Sequence, residues 1–206
     1  MAYTLYGAWL SGPSYKAGLM LSLCGQSFVY RHIDLAKGMH KAPDFLAINR
    51  YGQVPALRHD DNIVVQSNVI VEYLADLHGK FVGAGHARWQ AKEWMAWEAD
   101  RLAPPVYRTR FFTRFAPSTD PVIQKYFRDA ADNGLKVLEA GLAGRDWLVG
   151  NAPSIADVAC WSPIAFAAEG NIDLGAFANI RAWSERMAQL PGFKLPYDLM
   201  PKSDVG

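Results

Sequence analysis

The chain has 206 residues, half of them apolar and seven of them Trp, enough for one large domain or two small ones with real cores. Its 21 Lys and Arg against 20 Asp and Glu leave no field that draws nucleic acid or an anionic membrane. The opening Met1-Ala2-Tyr3-Thr4-Leu5 lacks the basic-then-apolar order of a secretion signal, and no apolar run reaches membrane-spanning length. Cys24 and Cys160 both fall in helical patterns, so two reduced, buried thiols in a cytoplasmic protein are expected, not a disulfide framework or a zinc site.

Residues 2–7 read as a short strand and Ser11-Gly12-Pro13 as a loop. From Ser14, the residues Ala17, Met20, Leu21 and Cys24 recur at helical spacing and predict one apolar face, closed by Gly25. Ser27–Ile33 is rich in β-formers, and a strand, a helix and a strand so close together imply a parallel crossover. A short helix over Asp44–Ile48 precedes Asn49-Arg50-Tyr51-Gly52-Gln53-Val54-Pro55. Ala56–His59 and Ile63–Val65, around Asp60-Asp61-Asn62, suit a hairpin. Ile70, Tyr73, Leu74 and Leu77 then mark one face of a helix that ends at Gly79. The order β-α-β, short helix, β-β-α describes a compact α/β domain over residues 1–80, with Gly79–Gly85 as linker.

Residues 87–206 read as an all-α domain. A long aromatic-rich helix from Ala87 to about Phe115 is expected to kink or break at Pro104-Pro105. Pro121–Leu142 and Ala178–Leu190 are further helices, and a Pro-punctuated tail follows. Between these helices, Ser154 and Asp157 have capping-box spacing, in which each side chain satisfies a backbone donor near the other. Losing either is expected to cost on the order of 1 kcal/mol.

Three segments of the first domain carry chemical possibilities. Ser11 lies before a helix, where unpaired N–H groups and the helix dipole favour negative charge, although Ser there is also an ordinary cap. Gln53-Val54-Pro55 opens a strand. Its Pro is either trans at a sheet edge or cis, the latter presenting the Val54 N–H and C=O to an extended peptide. Ser67, after Gln66, either caps its helix or joins the first N–H groups in holding a carboxylate. Together with Gly38-Met39-His40-Lys41-Ala42-Pro43-Asp44-Phe45, Glu72-Tyr73-Leu74 and the Ser154/Asp157 box, these segments span nearly the whole chain. Their order and spacing resemble the glutathione transferase family, nearest its serine-type phi, zeta and bacterial groups.

The resemblance implies a thioredoxin-like α/β N-terminal domain, an all-α C-terminal domain, and glutathione as co-substrate, with no metal and no nucleotide. Carried over by position, Ser11 hydrogen-bonds the glutathione sulfur, with Ser14 as a rival. His40 and Lys41 contact the glycyl carboxylate, Val54 pairs with the cysteinyl backbone beside Gln53, and Gln66 and Ser67 hold the γ-glutamyl end. Gln66 stands where many relatives carry Glu, so a charge toward the γ-glutamyl ammonium is missing. Trp9, Leu10, Tyr107, Arg108, Phe111 and Trp161 are candidates to line the second-substrate site, with core packing the alternative for each. Arg101, Arg108, Arg110 and Arg114 have no acid between Asp100 and Asp120. They form either a solvated face paired with acids elsewhere or a wall for a carboxylate-bearing co-substrate.

The reaction implied is attack of the glutathione thiolate on a small, soft electrophile, as in detoxification. A glutathione-dependent isomerase or peroxidase, or a non-catalytic module that kept the fold, is the alternative. Lowering a thiol pKa from near 8.5 by about two units takes roughly 2.7 kcal/mol, and one hydrogen bond to an anion at a helix N-terminus supplies about 2–4 kcal/mol. No Cys lies in the Ser11 loop, so disulfide exchange through a protein thiol is not expected. The resemblance also implies a homodimer in which Tyr51 inserts into the second subunit; packing within its own domain is the alternative.

Overall fold

The computed structural model describes residues 2–206 and divides into two units, one formed by the chain up to Lys80 together with Pro191–Gly206, the other by Phe81–Leu190. In the first unit lie β1 (Tyr3–Gly7), α1 (Gly12–Leu23), β2 (Val29–His32), α2 (Pro43–Ile48), β3 (Ala56–His59), β4 (Asn62–Val65) and α3 (Ser67–His78). The sheet order is β2-β1-β3-β4, with β1 and β2 parallel and the other pairs antiparallel, which is the thioredoxin-like arrangement expected. Tyr6 faces Ala56, Ala56 faces Val65, and Gly7 faces His32. The chain therefore leaves β1, β2 and β4, and enters β3, at one and the same end of the sheet.

Local chemistry sets the element ends. Helix α1 starts at Gly12, two residues before the sequence signal, because Ser11 is its N-cap and Pro13 pre-sets the first turn. The β3–β4 loop is only Asp60-Asp61, with Asp60 in the left-handed region at φ 50°. In α3 the buried residues are Ile70, Val71, Leu74 and Ala75, whereas Leu77 faces solvent, so the buried face is rotated from the one expected.

The sequence places the tail with the helical half; in the structure it packs on the first unit. Its effect is on α1, which is buried around its circumference and not along one face. Tyr15, fully buried, donates its hydroxyl to the Lys194 carbonyl at 2.8 Å, and Ser22 donates to the Gly192 carbonyl at 2.5 Å. Met200 fills the space beside Gly7 and Gly18. Val205 then pairs antiparallel with Tyr30, through N···O distances of 2.7 and 3.0 Å, and Asp204 accepts from the His32 N–H at 2.7 Å. The open edge of β2 is thereby covered.

The helical unit contains α4 (His86–Trp97), α5 (Ala103–Phe115), α6 (Pro121–Gly141), α7 (Ile155–Ile164) and α8 (Ala178–Ala188), and none of the described helices is long and apolar enough to cross a membrane. The interruption expected at Pro104-Pro105 lies one turn earlier, as a π-helical turn over Glu98–Leu102. Pro104 and Pro105 have no N–H to return to the carbonyls of Asp100 and Arg101, so the helix widens there, and the prolines themselves occupy the first turn of α5.

Helix α7 is buried along its whole length and opens on the expected capping box. Asp157 does more than cap. Its Oδ2 accepts from the Ser154 N–H at 2.8 Å and the Ser154 hydroxyl at 2.9 Å. Its Oδ1 accepts from the Leu148 N–H and from Trp183 Nε1, each at 3.0 Å. Burial pushes the Asp157 carboxyl up, against these donors, which pull it down. One carboxyl thus joins α7, the Leu148 loop and α8. Asp157→Ala leaves three N–H donors buried without partners and is expected to cost about 3–5 kcal/mol, against about 1 kcal/mol for Ser154→Ala. Urea unfolding followed by Trp fluorescence measures both; equal losses in the two variants would reduce Asp157 to a simple cap.

Candidate active site

The loops at the shared end of the sheet bring the first group of candidates together. Ser11, at φ −87° and ψ 112°, accepts from the Ser14 N–H through Oγ at 3.2 Å, while its own N–H donates to Ala8 O at 2.9 Å. A hydroxyl that accepts a capping bond still holds its proton, which remains available to donate outward. Ser11 is partly exposed. Ser14 is fully buried, and its Oγ accepts from the Ala8 N–H at 3.3 Å. Ser14 therefore holds the loop from beneath, and Ser11 is the hydroxyl that faces outward.

The Val54–Pro55 peptide is cis, and neither the N–H nor the C=O of Val54 has a partner among the described residues. The turn before it is braced by buried Asn49, which donates to the Gln53 carbonyl at 2.6 Å and accepts from the Tyr51 N–H at 3.1 Å. Gly52 has φ 56°, and a Cβ there would stand 2.9 Å from both the His40 carbonyl and Lys41 Nζ, so only Gly fits. Lys41 Nζ donates to the Gly52 carbonyl at 2.9 Å, and His40 Nδ1 is buried without a partner. His40 and Lys41 thus abut the turn that presents Gln53 and Val54.

At the start of α3 the N-cap is Gln66, not Ser67, and it makes no side-chain cap. Gln66 sits at φ 71°, a costly conformation for a side-chain-bearing residue, of the kind that gathers at binding sites. Ser67 is the first helical residue, and no side chain caps the first turn, where N–H groups favour an anion. Beside it, nearly buried Lys16 donates to Asn68 Oδ1 at 2.6 Å, tying α1 to α3. Nothing in the sequence singles out this link; its one signal is a Lys within an apolar helical run.

A helix N-terminus with no side-chain cap at α3, an unpaired extended backbone at Val54 and an outward hydroxyl at Ser11 form a site suited to an anionic, peptide-like ligand. Residues 1–76 match the family described as Glutathione S-transferase, N-terminal domain, and residues 110–191 match its C-terminal domain. A glutathione S-transferase of Arabidopsis thaliana is 32% identical over 171 residues, covering 77% of this chain and 78% of its own. The chain belongs to the glutathione S-transferase family. A disulfide-bond oxidoreductase of Escherichia coli is 28% identical over 167 residues, covering 77% of this chain and 78% of its own. A glutathione transferase of Phanerochaete chrysosporium, solved with oxidized glutathione, superimposes with a TM-score of 0.88 at 26% identity, covering 95% of this chain and 93% of its own.

The residues named for a second substrate are dispersed over both units of this transferase. Trp9 and Leu10 follow β1 and are partly exposed; Trp9 lies against Tyr197 and Lys202 of the tail. In the helical unit, Tyr107 shares a 2.8 Å hydrogen bond with the Ser162 hydroxyl, and Trp161 is buried edge-on to Trp183. Packing accounts for both. Phe111 and Arg108 are exposed on α5, and Arg108 has no ion-pair partner among the described residues. The other arginines of that stretch are not a free wall. Arg110 and Arg114 share the Glu169 carboxylate, Arg110 also covers the Phe166 ring, and Arg101 pairs with Asp100.

Both Cys side chains are buried, and burial pushes the Cys24 thiol up to about 11. At pH 8 about a thousandth of Cys24 is thiolate, so neither thiol is expected to react with a colorimetric disulfide reagent until the protein unfolds, when both should. Fast stoichiometric labelling of the folded protein would overturn this.

Proposed function

We infer that the protein is a glutathione transferase whose Ser11 hydroxyl stabilises the bound glutathione thiolate for attack on a soft electrophilic carbon. The observation that carries this reading is Ser11 itself: an N-cap hydroxyl, outward-facing, with its proton free, at the start of α1. His40 and Lys41 hold the glycyl carboxylate, where His40 Nδ1 otherwise stays unpaired. Val54 pairs both backbone groups with the cysteinyl residue, beside Gln53. Gln66, Ser67 and the first N–H groups of α3 receive the γ-glutamyl end. A folded scaffold alone needs neither an open Val54 backbone nor an uncapped α3.

In the reaction the thiol proton leaves to solvent, the thiolate sulfur forms a bond to carbon, and the leaving group departs with the electron pair. The protein supplies binding, orientation and a lowered thiol pKa. Leu10 of the first unit and Arg108 and Phe111 of the helical unit are the residues assigned to the electrophile, with Tyr107 and Trp161 taken as packing. The two buried thiols, neither of them in a disulfide, suit a reducing, cytoplasmic setting.

The same reading includes a homodimer. Tyr51 is 45% exposed, with the Arg50 guanidinium 4.7 Å from its ring centroid. The helical unit holds a cavity of about 340 Å³ lined by Trp97, Pro104, Pro105, Tyr126, Phe127 and Val137. We assign this cavity to Tyr51 of the partner subunit. Tyr51→Ala is expected to weaken association by more than 2 kcal/mol, about thirtyfold. Sedimentation showing a stable micromolar monomer of the unaltered protein would remove the claim.

Ser11→Ala should raise the pKa of bound glutathione by about one to two units, since it removes about 1.5–3 kcal/mol of charge-assisted hydrogen bonding. Turnover at neutral pH should fall about ten- to a hundredfold, with partial recovery in alkaline buffer as the thiol ionises unaided. Affinity should change little. Ultraviolet titration of the bound thiolate reads the shift, with Ser14→Ala as control. An unmoved pKa in Ser11→Ala beside a large shift in Ser14→Ala would transfer the role.

A further inference from the structure

We propose that Tyr197 and Lys202 are positioning residues: they hold Trp9 in place and, through it, set where the Ser11 hydroxyl stands. Trp9 lies in the loop between the end of β1 at Gly7 and the N-cap Ser11. Within that loop the bonds from Ser11 N to Ala8 O and from Ala8 N to Ser14 Oγ tie the backbone to itself. The Trp9 indole reaches beyond them to the tail. Its ring meets the Tyr197 ring with centroids 5.8 Å apart at 47°, and Lys202 Nζ stands 4.2 Å from its centroid, well inside cation–π range.

The tail is a firm abutment because it is fixed on both sides of these contacts. Before them, Tyr15 holds the Lys194 carbonyl; between them, Met200 is buried against Gly7; after them, Val205 pairs with Tyr30. Trp9 is two residues from Ser11, so a rotation of the loop at Trp9 carries Ser11 Oγ with it. A hydrogen bond to sulfur depends on distance and angle, and small displacements of a positioned group are felt in turnover. The kinetic consequence rests on the Ser11 reading above; the mechanical coupling between tail and loop does not.

The test uses the full chain with Lys202→Met and Tyr197→Ala, the conservative Lys202→Arg and Tyr197→Phe, and Ser154→Ala as a variant destabilised elsewhere. Amide exchange at Leu10, Ser11 and Ser14 should rise about two- to tenfold in Lys202→Met and Tyr197→Ala, and return in the conservative pair. The pKa of bound glutathione should rise in the same two variants, and kcat should fall about two- to tenfold with KM nearly unchanged. Ser154→Ala should lower stability without moving loop exchange or the bound thiol. Unchanged loop exchange in Lys202→Met overturns the coupling. Raised exchange with an unmoved thiol pKa overturns the positioning role. Failure of the unaltered protein to bind glutathione sinks the Ser11 reading instead, a result that the exchange measurement distinguishes from failure of the tail contact.

Discussion

The alignment of Tyr6 with Ala56 and of Ala56 with Val65 is the constraint on which the site depends. With β1 and β2 parallel and β3 and β4 antiparallel to their neighbours, it delivers the Ser11 loop, the His40 segment, Val54 and Ser67 to one end of the sheet. A slip of one residue in β3 would turn fully buried Leu57 outward and move Val54 off that end, so the same hydrophobic pattern that builds the core also fixes the site. Each loop is then braced locally: Asn49 to Gln53, Lys41 to Gly52, Lys16 to Asn68, Ser14 to Ala8. The proposed recognition thus rests on loops whose freedom is removed by a rigid frame.

On the proposed reading, the attraction for an anion comes from helix ends and two positioned lysines, not from a broadly basic surface. The chain is nearly neutral overall. The first turn of α3, which no side chain caps, and the dipole of α1 behind the Ser11 hydroxyl supply partial charge, and Lys41 and Lys16 are already oriented by hydrogen bonds. Where arginines do cluster, on α5, two of them are neutralised by one carboxylate, Glu169. A count of basic residues along the sequence therefore misjudges where positive potential is available.

Much of this was legible before any coordinates, for identifiable reasons. Strand–helix order, the Gly and Pro punctuation and the Ser154/Asp157 box are local signals with local physical causes, whereas the roles proposed for the Ser11, Val54 and Ser67 segments come from the family resemblance. The misses are partly local, as where Gln66 and not Ser67 is the N-cap of α3, and otherwise tertiary. Leu77 fits the helical period of α3 yet faces solvent, because its partners decide the face. The π-helical turn lies a turn before the prolines that cause it, since a missing N–H is felt four residues back. Ser14 and Ser11 are indistinguishable as letters, and burial separates them. Trp161 and Arg110 have side chains that suit a ligand, but Trp183 and Glu169 meet them first. The tail has no period at all, so its packing on α1 and β2 leaves no trace in the pattern.

That packing has a consequence for how the protein is made. The first unit is interrupted in sequence by the whole of Phe81–Leu190, and the segment that covers α1 and the β2 edge is synthesised after it. At about 5–20 residues per second, translation of the intervening stretch occupies roughly 5–20 s. During that interval the nascent chain carries a helix with an uncovered apolar side and a sheet with an unpaired edge, while the later-made helical unit already has all of its own sequence. The unit begun first is the one completed last, and a chaperone that shields strand edges would find its target here in the unfinished chain, not in the finished protein.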